Sequence, residues 1–182
     1  MVKRVVQTGP LSLKLYCAIG MVAVAWAQLE EVVTLCLSRL LGVDHIEFLT
    51  VGAQMPIKNR LDSVKALAGY KLPPDAAARL NALYDEGVQL SRERNKILHG
   101  TWLQGEEPDI GIRLTYRAHG KISADAPTMS AQEIAAIGDR INILASDLTN
   151  LLIQLGLYDP KNPMNRMQEP HDEAAAPLGA AT

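Results

Sequence analysis

Aromatic residues are scarce in this chain. They make up 4% of 182 positions, with a single Phe, which excludes the stacking platforms on which sequence-tolerant single-strand binders lay successive bases. Charge of one sign is lacking as well. A formal net charge of -2 gives no global attraction to a polyanion, so any contact with RNA has to come from a local basic cluster. Cysteine is limited to Cys17 and Cys36. Both fall in one expected helix, about 28 Å apart at helical rise, so they cannot bridge and read as reduced core thiols of a cytoplasmic protein. His45, His99, His119 and His171 show no ligand spacing with Cys or with each other, so no metal and no cofactor are expected.

What the chain does have is apolar seams. Hydrophobic residues make up 48% of the sequence, enough for one substantial core and too little chain for two full domains. From position 10 to 41, Leu15, Ile19, Val22, Trp26, Leu29, Val33, Cys36 and Leu40 alternate steps of four and three, the mark of a bundle helix. Gly42 stops it. Within it, 15–27 is an uncharged run after Lys14, and Ala25, Trp26, Ala27 has the form of a signal-peptidase site. The competing secretory reading of residues 1–27 is set aside because the heptad continues unchanged past the supposed cleavage point. The run is also shorter than the roughly 20 residues of a membrane span, so no membrane partner is expected.

Further on, Asp44 reads as the cap of a short helix, and Pro56 as the start of another whose face is Leu61, Val64, Leu67 and Ala68. After Pro73 and Pro74, residues 75–100 read as one long helix with Leu80, Leu83, Gly87, Leu90 and Ile97 on one stripe. Arg94 falls on that stripe, where an arginine needs a buried partner or belongs to a site. Glu30, one turn beyond Trp26, is the expected counter-charge. Asn95 and His99 are four apart and share the next face, and Gly100 is read as a left-handed stop. Period two then takes over. Ile110, Ile112, Leu114 and Tyr116 alternate with Gly111, Arg113, Thr115 and Arg117, and a turn at Ala118, His119 and Gly120 returns the chain through Lys121 and Ile122. Ser130 to Glu133 spells a capping box, and Ile134, Ile137, Ile141, Leu144, Leu148, Leu151 and Leu155 form a second seam, the partner of the first.

The expected fold is therefore all-α: an up-and-down bundle of four to five helices over 1–158, with a small β-hairpin at about 109–125 before the last long helix, and a disordered tail at 159–182.

Arg94, Asn95 and His99, near the end of a helix in a small helical chain, resemble the RNxxxH signature of HEPN domains. That resemblance implies a metal-independent endoribonuclease acting as a homodimer, with the motifs of two protomers facing one another. It implies catalytic roles for Arg94, Asn95 and His99. Glu30 would support them, and Arg92, Arg113, Arg117 and Lys121 would hold RNA. A non-cleaving helical module that binds protein or nucleotide is the alternative, and a third reading is the toxin of a pair, masked by a small cognate antitoxin. In the first reading His99 transfers protons, Arg94 stabilises phosphate charge and Asn95 orients His99 or the phosphate.

Overall fold

The computed structural model describes residues 10–118 and 122–161, apart from the side chains of 116–118 and 122–124. The expected turn at His119 and Gly120, Lys121, and the tail beyond 161 lie outside the described residues. Five helices, α1 Leu13–Leu41, α2 His45–Gly52, α3 Ile57–Lys71, α4 Pro74–Leu98 and α5 Ala131–Gln154, surround one core. Between α4 and α5 come four strands, β1 Thr101–Gln104, β2 Ile110–Ala118, β3 Ile122–Asp125 and β4 Thr128–Ser130. The chain is thus mainly helical with a small antiparallel sheet.

The two seams form the centre. Leu15, Val22, Trp26, Leu29 and Val33 of α1 and Ile134, Ile141, Leu144, Leu148 and Leu151 of α5 are all buried, and α1 packs on α5 more extensively than on any other element. Gly138 lets the two backbones close up, since a Cβ there would stand only 3.5 Å from Met21 and Val22. The boundaries follow local chemistry. Ser12 caps α1 through its side chain, and Gly42, at φ 75, closes it with its N–H on Arg39 and the N–H of Val43 on Ser38, satisfying carbonyls that a helix end leaves free. Asp44 caps α2 and the Ser130/Glu133 box caps α5 as expected.

Three expectations need correction. Cys17 is exposed rather than in the core, and only Cys36 is buried, its thiol pushed up to about 12 by desolvation. By length and composition α1 does reach what a membrane span requires, an 18-residue window of mean hydropathy 1.5. The run 15–27 counts only the uncharged residues before the supposed cleavage point, whereas the helix continues to Leu41. In the bundle 39% of that window is buried. Finally, the hairpin is longer than expected and has a third partner. β3 and β4 pair in a single register along the same edge of β2, from Ala118↔Ile122 to Ile110↔Ser130, interrupted only around Pro127, whose carbonyl still accepts from Arg113 N–H at 2.9 Å. β1 takes the other edge, Thr101↔Leu114 to Gln104↔Gly111. Four residues are too few to display a period, which is why β1 was not legible.

Candidate functional site

The site lies where α4 meets the sheet. α4 ends because β1 folds straight back over it: Trp102 packs where a Cβ on Gly111 would meet its ring at 2.9 Å, and its indole N–H donates to the Ile97 carbonyl at 2.8 Å. A terminal carbonyl of α4 is thereby satisfied by a side chain rather than by a left-handed cap. His99 is the C-cap at φ -104, ψ 3, with its N–H on the Asn95 carbonyl at 3.1 Å. Gly100 is not left-handed; among the described residues only Gly42 and Gly156 have positive φ. Glycine is required there for a different reason. A Cβ would meet Arg113 Cγ at 2.5 Å and the Lys96 carbonyl at 2.9 Å, so its absence lets β2 lay Arg113 across the helix end.

The result is an open hollow of about 300 Å³ lined by Asn95, Lys96, His99 and Gly100 of α4, Arg113 and Thr115 of β2 and Asp125 of β3. Three of these side chains, Lys96, His99 and Arg113, are basic or can become so, in a chain of net charge -2. At this net charge, any attraction of a polyanion would have to come from such a local cluster. The Nε of Arg113 is buried and has no hydrogen-bond partner.

Arg94 does not line the hollow. Five residues at about 100° each turn it roughly 140° around the helix from His99, and it faces α1, where its guanidinium stands 5.5 Å from the centre of the Trp26 ring. It reaches the site only through its neighbour: Arg94 Nη1 donates to Asn95 Oδ1 at 2.9 Å, which leaves the Asn95 amide N–H groups for the hollow. Glu30, expected as the counter-charge of Arg94, serves another arginine. It accepts from Trp26 Nε1 at 2.6 Å and pairs with Arg60 at 3.6 Å, while Arg60 donates to Thr34 Oγ1 at 2.6 Å. Arg94 and Glu30 therefore share the indole of Trp26 and not a salt bridge. Arg92 is exposed and does not line the hollow. Arg117 lies on β2 opposite Ser123.

Of the expected residues, then, Asn95, His99 and Arg113 come together, and sequence reading missed Lys96, Thr115 and Asp125 as companions. The expected turn at 118–120 did not point to Asp125: centred on 119 it would set Thr115 opposite Ser123, whereas the observed register pairs Thr115 with Asp125, and directly paired residues share a face of the sheet.

A second constellation resembles a hydrolytic triad and is not one. His45 Nε2 lies 2.7 Å from Glu31 and its Nδ1 is 3.4 Å from Ser38 Oγ. However, Ser38 is 0% exposed and its hydroxyl donates to the Leu35 carbonyl at 2.8 Å, so no substrate carbonyl can reach it.

No protein-family model, no curated protein and no solved structure matches this chain.

Proposed function

We propose that the hollow at the end of α4 binds an RNA phosphodiester and cleaves it without a metal, as the RNxxxH resemblance implies. The observation that carries this reading is the convergence of His99, Asn95, Lys96 and Arg113 on one open hollow. Cleavage by the ribose 2′-hydroxyl needs proton transfer and stabilisation of charge on phosphorus. His99 serves the first. Lys96 and Arg113, which line the hollow, take the phosphate-clamping role that the resemblance gives to Arg94. Arg94, stacked on Trp26, becomes a positioning residue for Asn95. The homodimer stays part of the proposal, supported by the exposed apolar side of α1, Leu13, Tyr16, Met21 and Val24.

The test is incubation of wild type and His99→Ala with total RNA in chelator, followed by end-group analysis for a 2′,3′-cyclic phosphate. Loss of an acid or base is expected to lower cleavage by about 10²- to 10⁴-fold. Undiminished cleavage by His99→Ala, with helix intact by circular dichroism, would remove the assignment. One observation favours the non-cleaving module: the motif arginine is held by the bundle and not by the hollow. In that case RNA still binds, and Arg113→Ala weakens binding, but neither protein yields cyclic phosphate. Growth arrest on expression, relieved in His99→Ala and by a small co-expressed partner, would identify the toxin reading.

A further inference from the structure

A lone imidazole cannot both accept the 2′-hydroxyl proton and deliver one to the leaving oxygen in the same step. The facing protomer implied by the resemblance would bring a second one, yet the same hollow already holds a carboxylate. Asp125, at the end of β3, lines it together with His99. A hollow of about 300 Å³ is roughly 8 Å across if taken as a sphere, the scale of one sugar and its phosphate, so two groups that line it can reach a single linkage. Asp125 is placed there by register. It is paired with Thr115 on β2, two residues from Arg113, while His99 comes from the end of α4. Among the described residues the Asp125 carboxylate makes no hydrogen bond and no ion pair, although Lys96 and Arg113 line the same space. A structural carboxylate beside two cations would be expected to bind one of them.

Resting on the reading of this hollow as an RNA-cleaving site, we infer that Asp125 and His99 of one chain are its proton-transfer pair. Asp125 takes the proton of the ribose 2′-hydroxyl. The 2′-oxygen forms a bond to phosphorus, the bond from phosphorus to the 5′-oxygen breaks, and protonated His99 gives its proton to that oxygen. The products are a 2′,3′-cyclic phosphate and a 5′-hydroxyl end. Asp125 is left protonated and His99 neutral, and exchange with water returns both to the starting state. The directions follow from the groups themselves: an ionised carboxylate can only accept a proton, and an imidazolium can donate one.

The experiment uses the full chain, wild type, Asp125→Asn and His99→Ala, on an RNA oligonucleotide with one cleavable linkage and on its analogue with sulfur in place of the 5′-oxygen. A thiolate leaves without a proton, so the analogue dispenses with the acid and still needs the base. On normal RNA both variants are expected to lose about 10²- to 10⁴-fold while binding it as wild type does. On the sulfur analogue His99→Ala recovers and Asp125→Asn does not. Mixing the two variants restores nothing, because both groups belong to one hollow. Wild-type rates for Asp125→Asn, its rescue by sulfur, or complementation in the mixture would each overturn the pairing while leaving the RNA-cleaving site standing. Failure of wild type to cleave either substrate would sink the site and the pairing together.

Discussion

Arg60, between α1 and α3, is 9% exposed, and its terminal nitrogens are engaged by Thr34 and Glu30. Arg113, at the hollow, shares with Arg60 a buried Nε that has no partner, but its terminal nitrogens have no side-chain partner among the described residues. The same contrast holds for their surroundings. Glu30 is taken twice over, by Trp26 and by Arg60, whereas among the described residues Lys96, His99 and Asp125 share a hollow without pairing. A buried charge left alone costs several kcal/mol, so the bundle interior has to satisfy its ions from within. At an open hollow water can serve until a ligand replaces it, and the charges can stay unspent. That difference supports placing the proposed chemistry at the hollow and not at the interior cluster.

The contrast can be broken most forcefully on the interior side. Trp26→Ala removes a ring that is 1% exposed and carries both Arg94 and Glu30. A loss of about 3–5 kcal/mol is expected in urea unfolding, along with weaker RNA binding as Arg94 lets go of Asn95. A small stability change would mean that the indole is not the hinge between bundle and site. Next in size, Gly100→Ala places a methyl 2.5 Å from Arg113 Cγ and 2.9 Å from a backbone oxygen, and overpacking of that kind costs about 1–3 kcal/mol. RNA affinity should fall with it, read by fluorescence anisotropy; an unchanged affinity would separate Arg113 from the ligand.

Gly87→Ala acts in the opposite direction. Gly87 is buried inside α4, and a new Cβ would meet Leu144 at 3.6 Å and Leu61 at 3.8 Å, ordinary contact distances. Helix preference alone then predicts stabilisation by about 1 kcal/mol, visible as a higher melting temperature with cleavage unaltered. A destabilised variant would show that α3, α4 and α5 are already packed to their limit there.

The smallest effect sharpens the picture at the surface. Lys58 first, and then the Tyr84 hydroxyl, hold the Asp62 carboxyl below the usual carboxylate range. The hydrogen bond to Asp62 in turn pushes Tyr84 above its ordinary value. The lowered Asp62 contributes stability that is present above the unfolded carboxylate value and is lost as pH falls through the folded one. The raised Tyr84 contributes stability that is present below the unfolded tyrosine value and is lost as pH rises through the folded one. Tyr84→Phe should therefore flatten the dependence of the urea midpoint on pH at both ends. A profile identical to wild type would leave the pair with no part in folding.

Much of this fold could be read from the chain. Heptad steps in α1 and α5, the Asp44 cap, the Ser130/Glu133 box and the alternation in β2 are local patterns, and each appears where its period or capping chemistry puts it. The site was half legible for the same reason. Asn95 and His99 share a helix face by spacing alone, and Arg113 sits on the polar side of its strand. Arg94 and Glu30 were misjudged because spacing tells which residues share a face and not which neighbour that face meets. Gly100 was misread because its need is an approach by Arg113 from thirteen residues away.

What the amino-acid order determined by itself, then, was the set of elements and the faces they carry, since period, caps and turn residues act within a few positions of one another. Tertiary structure alone decided that Trp26 would hold Arg94 on one side while its N–H met Glu30, and that Lys96, His99, Arg113 and Asp125 would surround one hollow. Those meetings depend on how α4, β2 and β3 cross, and crossing is set by the packing of the whole core around α1 and α5.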